Sequence, residues 1–578
     1  MNTKQFCLTM SVSLLALAGC SKEPVEAVVQ EAQVFPEETA SLTTLYINAD
    51  IVTVDEAQPS AEAVAVRDGM ILAVGSRSAV EAVSGDKLEI RDLAGKTLMP
   101  GFIDAHGHIT MTNKMQASAN ISSPPVGSAK TIDDILALLR AHRELMPDAP
   151  WLTAWGYDES LLVEGRHPTR EDLDKVSTEI PIVLQHVSGH FVTCNSRALA
   201  LAGITADTVA PQGGVIRRMP DSREPNGVLE EQAFGLVVKI MPVMEQKAAL
   251  GLMTKTQAYY ASNGITTVQD GASTGNEIDL LQSAAEAGLL YLDVVTFPYA
   301  PYMEGQLEKF PPSRQYDNHF RVGGIKLVLD GSPQGKTAWM TKPYLHVPHG
   351  QPEDYAGYPT LKDEQVAGFV DYAFSNSVPL LAHANGDAAA DQLINAVSAA
   401  NEKLGKADRR PVMIHAQTVR EDQIDKMISA GIVPSYFVAH TFYWGDWHRD
   451  SVFGVERASR ISPLRSSKDK GLRYTVHNDT PVVPPDMMRL LWSAVTRVTR
   501  SGVVLGADQR ATVMEGIKAM TLDAAYQYFE EGSKGSIEVG KRADFVVLAE
   551  NPLTVDPMAI KDILVLETIK DGATVFSR

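Results

Sequence analysis

Two histidines separated by one residue, His106 and His108, end an apolar segment that begins at Thr97. On a β-strand this spacing places both imidazoles on one face, where they can bind a metal ion together. The small residues Ala105 and Gly107 leave room around such an ion. Because a His-x-His motif often arises by chance, its meaning depends on the other candidate ligands in the chain.

Four more candidate ligands follow at the ends of strand-like segments: Lys326, His383, His415 and Asp479. Imidazole and carboxylate ligands suit Zn²⁺ and similar divalent ions. Such an ion can lower the pKa of a bound water to about 7. Asp479 could then accept the proton of that water and return it to the leaving group. We therefore predict a site for one or two divalent ions, with zinc as the expected metal.

Lys326 is the least obvious of these ligands, because an ammonium group has no lone pair. Burial and nearby cations lower the pKa of a lysine, and the neutral amine can react with CO₂. The product is a carbamate on Lys326, a carboxylate that can bridge two metal ions. An ion pair between Lys326 and a carboxylate such as Asp330 is the alternative.

The elements that must position these residues alternate between strand-like and helical patterns over residues 99–530. This alternation predicts an α/β fold, a (β/α)8 TIM barrel whose chemistry lies at the carboxyl ends of its strands. An insertion of about 111–264, after the first barrel strand, is expected to form a substrate-side subdomain. The predicted barrel strands are 101–106, 265–269, 292–297, 324–329, 379–383, 412–415, 432–436 and 474–478.

Short alternating strands and turns fill both ends of the folded region, at residues 43–98 and 531–578. Neither set is large enough to form a stable domain alone. We expect the two sets to pair into one composite β-sandwich domain beside the barrel.

The first 19 residues are typical of a signal peptide, because their apolar run is too short to span a bilayer. The run ends in Leu17-Ala18-Gly19-Cys20, which resembles a bacterial lipobox with Cys20 as the lipidated residue. Residues 20–42 would then be a tether. We predict a lipid-anchored protein of the Gram-negative cell envelope, with Ser21 favouring the outer membrane on its periplasmic side. An ordinary cleaved signal peptide is the alternative.

The formal net charge of −19 argues against nucleic acid or an anionic membrane surface as a main partner. Membrane contact is therefore expected only through the lipid anchor. We expect a small-molecule substrate as the partner, and the sequence leaves an oligomer possible.

Gly101-Phe102-Ile103-Asp104-Ala105-His106-Gly107-His108 resembles the signature of the amidohydrolase superfamily, and residues 535–548 are similar to its C-terminal return. Further segments resemble amidohydrolase family 3, the YtcJ-like branch that includes N-substituted formamide deformylases. Those segments are 155–158, 189–190, 195–199, 227–230, Lys326 with 330–332, 383–387, 414–417 and 478–482.

This resemblance implies hydrolysis of a C–N bond, in an amide or N-substituted formamide, by attack of a metal-bound hydroxide with Asp479 as proton shuttle. It implies that His106, His108 and Asp479 hold one ion, and that carbamylated Lys326 bridges it to a second ion on His383 and His415. Asp158, His190 and Glu230 are the candidate substrate contacts. A deaminase or another cyclic-amide or ester hydrolase would use the same ligands. A non-catalytic lipoprotein that binds a ligand is a further alternative.

The chain departs from the family pattern before the last ligand, where the family usually has a small residue or serine and this chain has His477-Asn478. On a strand His477 shares a face with Asp479. It could crowd the metal site, contact substrate or be a neutral histidine of the core.

Overall fold

The computed structural model describes residues 42–242, 244–303, 305–348 and 350–578. The predicted signal peptide, Cys20 and the tether up to residue 41 lie outside the described residues. Among the described residues, no helix is both long and apolar enough to cross a membrane.

The N-terminal segment forms strands and one short helix. The hairpin between the second and third strands turns at Asp68 and Gly69, which both adopt the left-handed conformation (φ 52° and 75°) that a two-residue turn requires. These elements are β1 (Thr43–Val52), β2 (Ser60–Arg67), β3 (Met70–Gly75), α1 (Arg77–Ser84), β4 (Leu88–Asp92) and β5 (Thr97–Pro100).

After one short strand, the next part of the chain builds a separate six-stranded sheet, in which the strands lie in the order 214–218, 225–231, 191–194, 182–186, 152–157 and 119–120. Its apolar residues form clusters of their own, packed between this sheet and its helices. The elements are β6 (Phe102–Ile103), α2 (Ile109–Met115), β7 (Ala119–Asn120), α3 (Ile132–Leu145), β8 (Leu152–Tyr157), α4 (Arg170–Asp174), β9 (Ile182–His186), β10 (Phe191–Cys194), α5 (Ser196–Leu201), β11 (Gly214–Arg218), β12 (Pro225–Glu231) and α6 (Gly235–Val238).

The long central part alternates strands with helices. Its elements are α7 (Gln246–Ala261), β13 (Ile265–Ser273), α8 (Gly275–Glu286), β14 (Asp293–Pro298), β15 (Phe320–Val322), β16 (Ile325–Val328), α9 (Asp363–Ser375), β17 (Leu380–Ala384), α10 (Asp387–Leu404), β18 (Val412–His415), α11 (Glu421–Ala430), β19 (Val433–Tyr436), α12 (His440–Trp447), α13 (Val455–Ser459), α14 (Leu464–Asp469), β20 (Thr475–Val476), α15 (Met487–Thr496), α16 (Val513–Ala519) and α17 (Leu522–Gln527).

These strands form two parallel sheets, β15-β14-β13-β6 and β16-β17-β18-β19-β20. Backbone contacts join the two sheets on both sides. On one side Tyr299 forms a parallel bridge with Lys326. On the other, the N–H of Asp479 donates to the carbonyl of His106 at 3.1 Å. The carboxyl ends of all these strands therefore lie at one edge, and the prediction of an α/β protein is confirmed.

Three C-terminal strands return to the sheet of the N-terminal segment. They are β21 (Phe545–Leu548), β22 (Val565–Lys570) and β23 (Ala573–Ser577). β21 pairs antiparallel with β5, so that Phe545 lies opposite Pro100. Both ends of the described chain therefore contribute to one eight-stranded sheet.

Candidate metal centre

His106, His108 and Asp479 meet at the carboxyl edge of the parallel sheets. Two backbone hydrogen bonds set their segments side by side, one from Asp479 N–H to the His106 carbonyl and one from His108 N–H to the Thr480 carbonyl at 2.7 Å. Nε2 of His106 lies 3.3 Å from Oδ1 of Asp479, and Nε2 of His108 lies 3.1 Å from the same oxygen. The three side chains thus present one ligand atom each to a common point.

Neighbouring groups determine which ring nitrogen of each histidine carries the proton. Nδ1 of His108 lies 2.7 Å from the carbonyl of Gly271 and must donate to it. Nδ1 of His106 lies 2.5 Å from Oε1 of Gln269, whose amide nitrogen donates elsewhere. Both Nε2 atoms therefore turn a lone pair toward Asp479 Oδ1, which is buried and has no hydrogen-bond partner. A divalent cation fits this arrangement, since three acceptors face one another and two of them, on His106 and Asp479, belong to buried residues.

Lys326, His383 and His415 lie beside this group, on β16, β17 and β18. Nζ of Lys326 is 3.2 Å from Nε2 of His106, and Nε2 of His415 is 3.1 Å from Nδ1 of His383. Nε2 of His415 is also 3.9 Å from Oδ2 of Asp479. All six predicted ligands therefore converge on one place.

Asp330 orients His383 and does not hold Lys326. Its carboxylate accepts hydrogen bonds from the backbone N–H groups of Asn385, Gly386 and Trp339 at 2.7–3.0 Å. Its Oδ1 also lies 3.3 Å from Nε2 of His383. Nε2 therefore carries the proton of His383, and the Nδ1 lone pair is directed toward His415.

Burial dominates the electrostatics of the centre. It lowers the pKa values of His106 and His415 well below the ordinary range, aided in His106 by Lys326 and in His415 by His383. It also lowers the pKa of Lys326 to about 7, although Asp479 opposes that change. Burial raises the pKa of Asp479, but the positive charge that His108 carries when doubly protonated outweighs that effect, so that the net change is downward. At neutral pH His106 and His415 are thus neutral imidazoles and Asp479 is an ionised carboxylate, the forms that bind metal.

Two of the candidate ligands have strained backbones. Asp479 has a φ of 56° and His415 a φ of 72°, in the left-handed region that residues other than glycine rarely adopt. Each such conformation costs about 1–3 kcal/mol and persists only where surrounding structure enforces it. Strain of this kind clusters at functional sites, which supports a role for this centre.

The three predicted substrate contacts lie in different surroundings. His190 is close to the centre, with its ring 5.1 Å from that of His383 and its Nδ1 2.8 Å from Oε2 of Glu231. Glu230, the neighbour of Glu231, instead pairs with Arg217 and accepts a hydrogen bond from the hydroxyl of Tyr358 at 3.3 Å. The residue that supports His190 is therefore Glu231, which the sequence analysis missed. Alternation along β12 turns adjacent side chains to opposite faces, and that was the available signal.

Asp158 lines a cavity of about 240 Å³. Its Oδ2 accepts a hydrogen bond from Nε1 of Trp444 at 2.6 Å. Pro481 and Val482, which follow Asp479 by two and three residues in the chain, line this cavity. Its other walls combine four aromatic side chains with smaller apolar residues, two serines and one arginine; the aromatic residues are Trp155, Tyr259, Tyr443 and Trp444, and the arginine is Arg500.

His477 contacts His415 and not the cavity. Its Nε2 is 3.1 Å from Nδ1 of His415, and its Nδ1 is 2.8 Å from Oγ of Ser435. His477 therefore lies on the Nδ1 side of His415, opposite the ligand atom Nε2, and its ring is also 5.2 Å from that of His106.

Comparison with known proteins agrees with this chemistry. A family model described as "Amidohydrolase family" matches residues 89–576. The chain is similar to the N-substituted formamide deformylase of Arthrobacter pascens, with 28% identity over 549 residues that cover 92% of this chain and 98% of that protein. It is also similar to the putative amidohydrolase YtcJ of Bacillus subtilis (strain 168), with 27% identity covering 91% and 98%. The solved structure of an uncharacterised metal-dependent hydrolase from Pyrococcus horikoshii OT3 has the same fold, with a TM-score of 0.71, 21% identity and coverage of 89% and 99%.

Proposed function

The chain belongs to the amidohydrolase family and is a metal-dependent amidohydrolase, and from this premise we propose that it cleaves the C–N bond of an N-substituted formamide or a related small amide. The predicted family and enzyme class are thereby confirmed. The observation that carries the proposal is the convergence of His106, His108 and Asp479 on one point, beside Lys326, His383 and His415. The similarity to a formamide deformylase supports the choice of substrate class.

We infer that the two parallel sheets are the two halves of one (β/α)8 barrel. β15 and β16 would be the two parts of its fourth strand, because β15 pairs with β14 and β16 pairs with β17. The contacts at Tyr299 and at His106 would close the barrel. The candidate ligands then lie at the carboxyl ends of barrel strands, where such barrels carry out their chemistry.

We propose that His106, His108 and Asp479 hold one divalent ion and that His383 and His415 hold a second, with Lys326 as a carbamate between them. Zinc is the first metal to test, because imidazole and carboxylate ligands suit it. Ions bound there would polarise a carbonyl group and lower the pKa of water.

The protein's own groups would move the protons and orient the substrate. Asp479, ionised at neutral pH, would accept a proton from the attacking water and pass it to the leaving nitrogen. Because Nδ1 of His190 donates to Glu231, only the doubly protonated ring also has a hydrogen on Nε2, and in that form His190 would donate a hydrogen bond to the substrate carbonyl oxygen. Burial lowers the pKa of His190, but the charge and hydrogen bond of Glu231 raise it by more, so that the net change is upward. The raised pKa favours the doubly protonated ring, which can donate from Nε2.

The cavity beside Asp479 would receive the substituent on the substrate nitrogen. The four aromatic side chains in its lining favour an apolar group, and two charged residues lie beside them, Arg500 and Asp158, of which Asp158 already accepts a hydrogen bond from Trp444. We therefore expect formamides with bulky apolar substituents to have a higher kcat/KM than N-methylformamide.

The first experiment is elemental analysis of the full chain as wild type, as Lys326→Ala and as the control Lys561→Ala, whose ammonium pairs with Asp562 at the surface. About two ions in the wild type and the control, falling to one or fewer in Lys326→Ala, would support the two-ion site. About one ion in every protein would remove the bridge and leave hydrolysis possible. A wild type without metal after Zn²⁺ reconstitution, or a metal-loaded enzyme inactive on a panel of amides and formamides, would overturn the proposed function.

We also propose, from the N-terminal sequence, that the chain is exported and lipidated at Cys20 in a Gram-negative cell envelope. Labelled palmitate should enter the wild type and not Cys20→Ser, and only the wild type should fractionate with membranes. Equal labelling of both proteins would contradict the anchor.

A further inference from the structure

A row of three buried polar side chains leads away from the candidate centre. Nδ1 of His415 is 3.1 Å from Nε2 of His477, and Nδ1 of His477 is 2.8 Å from Oγ of Ser435. His477 and Ser435 are fully buried, and His415 is 3% exposed. The row starts at a candidate ligand and ends inside the protein.

The three residues come from neighbouring strands, which explains their alignment. His415 ends β18 and Ser435 lies within β19, which pairs in parallel with β18. His477 follows β20, where its backbone N–H donates to the carbonyl of Tyr436 at 3.2 Å. Register along three adjacent parallel strands therefore places the side chains in line.

If His415 binds a metal ion, the hydrogen bonds of the row can run in only one direction. Its Nε2 must keep a lone pair, because Nε2 is the atom that faces His383 and Asp479. Nδ1 of His415 then carries the proton and donates to Nε2 of His477. Nδ1 of His477 in turn donates to the hydroxyl oxygen of Ser435, which can always accept.

Local backbone geometry makes such support necessary. His415 has a φ of 72°, and the next residue, Ala416, has a φ of 46°. Backbone conformations of this kind persist only where contacts from the surrounding structure enforce them. The ring of Phe437, centred 5.9 Å from His415 and 5.2 Å from His477, restricts sideways movement of both rings.

We propose that His477, supported by Ser435, is a positioning residue that fixes the tautomer and ring orientation of His415 and thereby strengthens ion binding on the His383 side of the centre. This proposal rests on the metal site of the proposed function, but it concerns affinity and not the reaction. Loss of such an outer hydrogen bond lowers metal affinity by about 10–100-fold. A histidine that only fills the core would have no such effect when replaced by a ring of similar size.

The experiment compares four variants of the full chain with the wild type. His477→Phe keeps an aromatic ring but removes the acceptor, and His477→Gln restores an amide oxygen near the same place. Ser435→Ala removes the end of the row with little change in volume. The matched control is His448→Phe, because His448 is also fully buried and paired with a histidine, His440 at 2.9 Å, but contacts no candidate ligand.

Three readouts separate positioning from packing: ions per chain, zinc affinity by chelator competition, and the visible absorption spectrum of the Co²⁺-substituted protein. We expect His477→Phe to bind its weaker ion about 10–100-fold less tightly and to change the cobalt spectrum. Ser435→Ala should show a smaller loss in the same direction. His477→Gln should recover part of the affinity, and His448→Phe should match the wild type.

Unchanged zinc affinity and an unchanged cobalt spectrum in both His477→Phe and Ser435→Ala would overturn the proposal. Equal losses in His448→Phe would also overturn it, because the effect would then be one of packing. If His477→Phe does not fold, as judged by circular dichroism, Ser435→Ala decides the outcome alone. A wild type that binds no ion would overturn the proposed function itself, whereas a wild type with two ions and insensitive variants would overturn only the positioning role.

Discussion

Nε2 of His108 lies 3.1 Å from Oδ1 of Asp479, although neither atom has a hydrogen to share when Nδ1 of His108 donates to the Gly271 carbonyl. Either His108 takes up a second proton or a cation occupies the space between them. The raised pKa of His108 reflects this, because the hydrogen bond and charge of Asp479 overcome the effect of burial. A metal ion would take the place of that proton.

Replacement of Asp479 by asparagine should lower kcat/KM by about 10²–10⁴-fold, because the site loses both a charged ligand and its proton acceptor. The bound metal should also decrease. Hydrolysis kinetics and elemental analysis of the same preparation measure the two effects. Asp469→Asn is the control, since that side chain is 64% exposed. Asp479→Asn with full metal content and unchanged kcat/KM would exclude the assigned role.

Metal reconstitution should depend on pH and CO₂ through Lys326. With a pKa of about 7, the amine is about one tenth neutral at pH 6 and about nine tenths neutral at pH 8. Only the neutral amine reacts with CO₂, so recovery of activity in metal-stripped protein should be faster at pH 8. Activity is followed after addition of Zn²⁺ with and without bicarbonate. Equal recovery in CO₂-depleted buffer would speak against the carbamate.

Two adjacent glutamates on β12 should behave differently. Glu231→Gln should lower kcat/KM by about 10-fold or more, because the carboxylate that holds His190 at 2.8 Å would be lost. Glu230→Gln is the matched control for the reaction, since Glu230 pairs with Arg217. Steady-state kinetics of both variants tests this difference. A larger loss of kcat/KM in Glu230→Gln would reverse the assignment.

Lys570 joins the C-terminal strands to the parallel sheets. It is 2% exposed, and its Nζ lies 3.1 Å from both Asp293 and Asp544. Lys570→Met should lower the free energy of unfolding by about 3 kcal/mol, because two buried carboxylates would lose a shared cation. Lys561→Met, at an exposed pair with Asp562, should change it by less than about 1 kcal/mol. Urea unfolding measures both, and equal effects would contradict the structural role of Lys570.

Five of the six candidate ligands were accessible from the sequence because each stands at or just beyond the end of a strand-like segment, whereas Lys326 lies inside β16. Parallel strands alternating with helices bring their carboxyl ends to one edge, so linear order predicts spatial grouping. The supporting residues carry no such signal. Gln269, Asp330 and Glu231 are ordinary polar residues in the sequence, and their contacts depend on side-chain direction across neighbouring strands.

The sequence by itself determined the ligand types, their order along the chain and the α/β class. Those features follow from local sequence patterns and from the chemistry of the individual residues, which do not depend on the tertiary structure. Only the tertiary structure decided that His477 supports His415, that Glu231 and not Glu230 holds His190, and that Asp330 belongs to His383. Each of these is a contact of about 3 Å between segments far apart in the chain, and such distances are set by strand register and backbone strain.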